Sequence, residues 1–320
     1  MLSRTADHVF WMARYTERAE NTARMLDANL QMALLPQSEA AIASAWRAML
    51  FISELVPQFD ARHARVTPDA VLEFMVRDQA NASSICSCLH AARENARAVR
   101  GTLTADVWET YNTTWLELQK HIKAGMHERH PSRFFDWVKH RSHLSRGVTI
   151  GTMLKDEAFH FARLGTFLER ADNTARILDV KFFQHPENGS RSADDQRSDF
   201  YYWAAVLRSV SAFESYRKVY RDAISPERVA ELLILRADMP RSLRASMDEV
   251  ATNLQAVRNE ASSETERRAG QLLSELHYGR IEEILPHGLH EYLNRFLERV
   301  NQLGERISRD FLVPLTPLAA

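Results

Sequence analysis

The sequence predicts an all-α protein, an internally duplicated helical bundle whose two pseudo-twofold-related halves carry five to six helices each. Three observations lead there. Apolar residues recur at helical spacing almost throughout the chain. Ten glycines and ten prolines in 320 residues are too few for the hairpins and bulges of a sheet protein. The third is a repeat: ERAENTARMLD at 17–27 returns as ERADNTARILD at 169–179.

The first helix is expected from about Arg4 to Leu34, with Met12, Tyr15, Ala19, Ala23, Leu26 and Leu30 on one stripe and Pro36 as its end. A second carries Trp46, Leu50 and Leu55 as far as Pro57. Thr67-Pro68-Asp69 has the form of a helix start: an N-cap hydroxyl, a proline whose missing N–H costs nothing there, and a carboxylate on the positive end of the dipole. That helix is expected to run on, kinked near Asn81, to Gly101 as C-cap. Helices at about 104–125 and 132–146 follow, then a glycine-bearing connection, RGVTIGTM.

The second half repeats this order. A long helix from about Lys155 to Gln184 leads to a polar linker at 186–198, and Trp203 and Leu207 open the next helix as Trp46 and Leu50 did. Ser225-Pro226-Glu227 starts another, Met239-Pro240 interrupts the path, and Ser263 with Glu266 reads as a capping box. A last helix spans about Gly288 to Phe311, stopped by the Pro314/Pro317 tail. The reading is one domain over 1–320 with repeats at about 1–151 and 152–313. Glu17 maps to Glu169 and His8 to His160 at a common offset of 152.

Charge and cysteine content narrow the function classes. The 41 basic and 42 acidic residues leave a net charge of -1, so no global field draws the chain to nucleic acid or an anionic membrane. Arg4 and Asp7 interrupt what a signal peptide would need, and no apolar run approaches the roughly 20 residues of a bilayer span. Cys86 and Cys88, two apart on a helix, point to different sides and read as reduced, buried or half-buried thiols. The cytoplasm is the expected compartment.

At about 100° per residue, Ala19, Ala23 and Leu26 fall on the buried stripe of the motif, and Arg14, Glu17, Asn21 and Arg24 gather on the opposite side, flanked by Arg18, Glu20 and Asp27. In the second copy Glu169, Asn173 and Arg176 take that stripe, flanked by Arg170, Asp172 and Asp179, with Thr166 in place of Arg14. The two segments agree at 9 of 11 positions. A solvated face held by i,i+4 ion pairs has no physical reason to keep arginine, asparagine and acid together. The retained set therefore implies a polar network between the halves or a binding surface, in which arginine forks would meet carboxylate or phosphate. The candidate site residues are Glu17, Arg18, Asn21, Arg24, Glu169, Arg170, Asn173 and Arg176, with His8 and His160.

Other constellations are weaker. Glu157-x-x-His160 has the spacing of a di-iron ligand pair, but Thr5 stands where the second pair would need its acid. His127/His130, His140/His143 and His287/His290 read as surface histidines. No phosphate loop, dinucleotide fingerprint, zinc-protease motif or nucleophile elbow occurs, so no metal, no cofactor and no independent catalysis is expected.

The paired ERA(E/D)NTAR(M/I)LD segments, the stretch RSHLSRGVTIGTMLKDEAFHFARLGTFLERAD at 141–172 and VRDQANASSI at 76–85 together resemble the bacterial alpha-E family, over essentially residues 1–313. The resemblance implies an all-helical domain whose Glu-Arg pair is Glu17-Arg18 and Glu169-Arg170. It also implies partners, a circularly permuted ATP-grasp protein and a transglutaminase-like protein, and hence an accessory role in ATP-dependent peptide or amide ligation. Two other readings stay open: an amino-acid- or peptide-binding or catalytic domain with its site between the halves, and a purely structural or oligomerisation module, with homo-oligomerisation undecided.

Overall fold

The computed structural model describes residues 1–34, 38–184 and 193–312, with side chains for all of these except 180–184 and 193–199. Among the described residues there are sixteen α-helices, one 3-10 turn and no strand. In order they are α1 (Ser3–Ala33), α2 (Glu39–Ile52), α3 (Val56–Asp60), α4 (Pro68–Val76), α5 (Ile85–Ala98), α6 (Ala105–Lys123), α7 (Met126–Arg129) and α8 (Pro131–Thr152). Then come α9 (Glu157–Gln184), α10 (Ala193–Ser209), α11 (Phe213–Tyr220), α12 (Pro226–Ile234), α13 (Leu243–Ala256), α14 (Ser263–Tyr278), α15 (Ile281–Ile284), the 3-10 turn Leu285–His287 and α16 (Leu289–Phe311). No described helix is long and apolar enough to cross a membrane.

The starts of these helices are written locally. Ser38, Thr67, Ser84, Thr104, Ser225 and Ser242 each accept the backbone N–H three residues on, so an otherwise orphaned donor is satisfied at each. Pro68 and Pro226 occupy the first turn behind two of those caps, as expected.

The two motif helices lie at the centre and pack against each other. Around α1 stand α5 and α8, with α6 bridging those two; around α9 stand α13 and α16, with α14 bridging those. The long helices also trade neighbours, since α10 packs on α1 and α2 on α9. Trp46 and Trp203, both almost fully buried, anchor those two exchanged helices. The axes of α1 and α9 come close because small residues line the crossing: Ala13 on one side, Ala162 and Gly165 on the other. A Cβ on Gly165 would fall onto the Phe10 carbonyl oxygen and 3.3 Å from the Ala13 Cβ.

Several expected boundaries move. The helix drawn from Thr67 to Gly101 is two, α4 and α5, because Asn81 fills the break: its Nδ2 donates to the Phe74 carbonyl at 3.1 Å and its Oδ1 accepts from the Ser83 N–H at 2.9 Å. Pro57 sits inside the first turn of α3, where its missing N–H is harmless, and terminates nothing. RGVTIGTM is helical as far as Thr152, so α8 runs through Gly147 and Gly151, where a Cβ would meet nothing within 4 Å. The N-cap position of α14 is Ser262, not Ser263, and its hydroxyl bonds the Glu266 carboxylate at 2.6 Å without capping a backbone N–H. Helix α11 was not foreseen. Residues 186–192 of the polar linker lie outside the described residues, but α10 begins at Ala193, inside the expected linker. Pro36 and the Pro314/Pro317 tail also lie outside the described residues.

The crossing makes a measurable demand. Gly165→Ala should destabilise the fold by on the order of 3 kcal/mol in urea unfolding, because the added methyl forces α1 and α9 apart. Gly270→Ala, in a helix with open space around it, should stabilise it by roughly 0.5–1 kcal/mol.

Candidate functional site

The polar stripes of α1 and α9 turn inward, onto each other. Glu17 is 1% exposed and Glu169 5%, and each is gripped by the arginine of the other motif. Arg170 donates from Nε and Nη2 to the two carboxylate oxygens of Glu17, both at 3.0 Å. Arg18 donates from Nε to Glu169 Oε1 at 2.6 Å and from Nη2 to Oε2 at 3.0 Å. The Glu-Arg pair of one motif is thus a partner for the pair of the other. Two parallel N–H···O bonds fix both the distance and the plane of each contact.

The two forks are reinforced by different residues. On Glu169 the third donor is Arg14, whose Nε lies 2.8 Å from Oε2. Its counterpart in α9, Thr166, turns back to the Ala162 carbonyl of its own helix. On Glu17 the extra donors come from elsewhere, Arg146 of α8 at 2.9 Å and Arg241 of the α12–α13 loop at 3.0 Å. Those two arginines also hold Glu20, which is fully buried and further bonded by Arg24 at 2.7 and 2.8 Å and by the Ser142 hydroxyl at 2.6 Å. Six guanidiniums surround three carboxylates. Burial alone would raise these acids; the arginines outweigh it, holding Glu17 below and Glu20 well below the usual carboxylate range and Glu169 at about 2. Burial pushes Arg241 down to about 10, which still leaves it charged at neutral pH.

Arg24 and Arg176, equivalent in the repeat, serve different ends. Arg24 is buried, turned to Glu20, the Ser211 hydroxyl and His143. Arg176 is half-exposed and bonds Asp172 at 2.7 and 3.1 Å and the exposed Glu54 at 2.6 Å.

Beside the clamp lies a polar cavity of about 200 Å³ lined from both motifs by Arg18, Asn21, Glu169, Asp172, Asn173 and Arg176, and closed by residues of α2 and its C-terminal turn. Asn21 is 3% exposed; its Oδ1 accepts from Arg241 at 2.9 Å, and its Nδ2 has no hydrogen-bond partner. The buried Asn173 amide lines the same cavity and makes no hydrogen bond among the described residues. Arg18 uses Nε and Nη2 on Glu169, which leaves its Nη1 without a carboxylate. The cavity therefore offers amide and guanidinium donors together with carboxylate acceptors. A second crevice near Glu17 and Arg146, about 30 Å³, has room for a water molecule only.

The remaining candidates lie elsewhere. His8 and His160 each bond an asparagine, Asn95 and Asn253, through Nδ1 at 2.8 Å. These bonds tie α1 to α5 and α9 to α13 and bring neither histidine to the cavity. Glu157 is paired with the Met1 amino group. Cys88 is buried and Cys86 half-buried, both as free thiols pushed up to about 12 by burial. Of the expected surface histidines, His127 is buried and His290 bonds Asp179 at 2.5 Å. Sequence reasoning missed Glu20, Arg146 and Arg241 as members of the network. Glu20 stands inside the repeat, but its side chain was assigned to the flank. Arg146 and Arg241 lie far from the motif in sequence, and nothing local marks them.

A family model described as Alpha-E, "a predicted alpha-helical domain with a conserved ER motif", matches residues 1–312. No curated protein and no solved structure matches the chain.

Two outcomes follow from the clamp. Glu20→Gln leaves three guanidiniums short of a carboxylate and should cost about 3–5 kcal/mol in urea unfolding, whereas Arg47→Ala, which breaks the exposed pair with Asp60, should cost less than about 1 kcal/mol. Glu169 is lowered from 4.5 to about 2, so its contribution is complete above the higher value and lost as pH falls through the lower one. Stability measured against pH should stay level down to about pH 5 and then fall by on the order of 3 kcal/mol from Glu169 alone, with Glu17 and Glu20 adding in the same direction.

Proposed function

The chain belongs to the Alpha-E family, and from that premise we propose that it is a non-catalytic helical partner of an ATP-grasp type peptide or amide ligase, holding an amino acid or peptide end in the cavity between its motif helices. The ligase partner rests on the family resemblance. The binding role rests on one observation: Asn21, whose Nδ2 is buried without a hydrogen-bond partner, is among the residues around a cavity of about 200 Å³. An orphaned buried donor costs roughly 1–3 kcal/mol, a cost that a ligand oxygen would remove. A carboxylate or peptide carbonyl suits Asn21, Asn173 and the spare Nη1 of Arg18, and Asp172 and Glu54 suit an ammonium group. Small size and mixed charge favour an amino acid or a chain terminus over a nucleotide.

We read the chain further as two copies of one helical unit, each contributing a motif to the clamp. The reciprocal Arg18–Glu169 and Arg170–Glu17 forks and the paired His8–Asn95 and His160–Asn253 bonds support this reading. A specific observation also favours a purely structural module, namely that most of the motif's polar groups are already satisfied internally.

Asn173→Ala separates the two readings, because this amide supports nothing else among the described residues. Calorimetric titration with a panel of free amino acids and dipeptides should find a ligand bound with a Kd on the order of 100 μM, weakened about tenfold in Asn173→Ala with thermal stability unchanged. No binding at millimolar concentration, or affinity untouched by the substitution, would leave the structural reading standing. Co-purification with an ATP-grasp protein, and a change in its ligation rate when this chain is added, tests the partner.

A further inference from the structure

Helix α7 carries a group that neither the motif nor the cavity uses. His127 is 5% exposed, and neither ring nitrogen makes a hydrogen bond. A buried imidazole in that state has lost its hydration at both nitrogens with nothing in return. Its Nε2 stops 3.4 Å from Oε1 of Glu128, whose side chain is 63% exposed and free to move. From α4, Glu73 supplies a second carboxylate, and one ligating atom from each of the three residues lies within 4.8 Å of the others. Arg77 bonds Glu73 through Oε1 at 2.8 Å, which orients the carboxylate and leaves Oε2 available.

We propose that Glu73, His127 and Glu128 bind a divalent first-row transition ion of the zinc type, clipping α7 to α4. Ligand atoms about 2.0–2.1 Å from a zinc ion stand roughly 3.3 Å apart. His127 and Glu128 are already near that separation, and the part-exposed Glu73 and Glu128 side chains can turn to take up the rest. Two carboxylates balance the charge of the ion. The imidazole selects a transition metal over magnesium or calcium, which prefer all-oxygen sites. Burial also holds His127 in its neutral form, the form that coordinates. His127 packs beside Phe134 with ring centroids 6.1 Å apart, which fixes the approach of the ring. The ion closes the chain between residues 73 and 127, and water fills its remaining coordination position.

The test is titration of the chelator-stripped full chain with zinc chloride, followed by calorimetry and by melting temperature. The expected result is one ion per chain with a Kd on the order of 1 μM, no competition from magnesium, and a higher melting temperature. Glu128→Gln changes only an exposed carboxylate, so it should fold normally and bind at least about tenfold more weakly; His127→Phe should bind more weakly still. Cobalt substituted for zinc should give visible ligand-field absorption that Glu128→Gln diminishes. No binding at about 100 μM zinc would overturn the site. So would binding unchanged in Glu128→Gln, which would place the ion on other histidines.

Discussion

The structure depends on one reciprocal contact. Two long helices cross at their most polar faces, and the glutamate of each is forked by the arginine of the other. The contact needs a close approach, supplied by Gly165 against the Phe10 carbonyl, and a fixed orientation, supplied by the planar guanidinium-carboxylate pairs. Neither helix could make this crossing with an apolar partner, because each would bury a carboxylate without a counter-charge. The neighbouring helices are arranged around that requirement, α5 and α8 beside α1 and α13 and α16 beside α9.

A buried carboxylate in a low-dielectric interior must be surrounded, and the surrounding is what recruits distant parts of the chain. Glu17 and Glu20 lie one helical turn apart and would repel each other. Arg146 and Arg241 each reach both of them, which binds α8 and the α12–α13 loop to the central pair. Such pairs add little net stability compared with well-packed apolar residues, but they tolerate no other register. The cavity is a by-product of this geometry with chemical consequences. Its walls are the same helices, so rigid forks hold Asn21 and Asn173 beside the opening.

The sequence carried the all-helical fold, both long helices and the Thr67-Pro68 and Ser225-Pro226 starts, because these follow from spacing and capping within a few residues. The repeat marked Glu17, Arg18, Asn21, Arg24 and their counterparts, which the structure divides: Glu17 and Arg18 meet Arg170 and Glu169 at the crossing, Arg24 turns to Glu20 and Arg176 to Asp172, and His8 and His160 bond asparagines elsewhere. It left their setting undecided between a network and a surface. A helical wheel shows two faces, one apolar and one polar, and does not show that the polar face is covered by another polar face. The break at Asn81 was equally hidden, since only the Phe74 carbonyl and the Ser83 N–H reveal what the asparagine holds.

By itself, then, the sequence determined that this chain is helical, where about half of its described helices begin, and which charged residues recur. Those properties are local, set by backbone hydrogen bonding, side-chain caps and a repeat of 3.6 residues. Only the tertiary structure decided that Arg18 belongs to Glu169 and Arg170 to Glu17, that Glu20, Arg146 and Arg241 complete the network, and that Asn21 keeps a donor without a partner. Those are pairings across as many as 224 positions of chain, and long-range charge pairing leaves no periodicity in a sequence. It is chosen by which buried charges can be neutralised together in one packed arrangement.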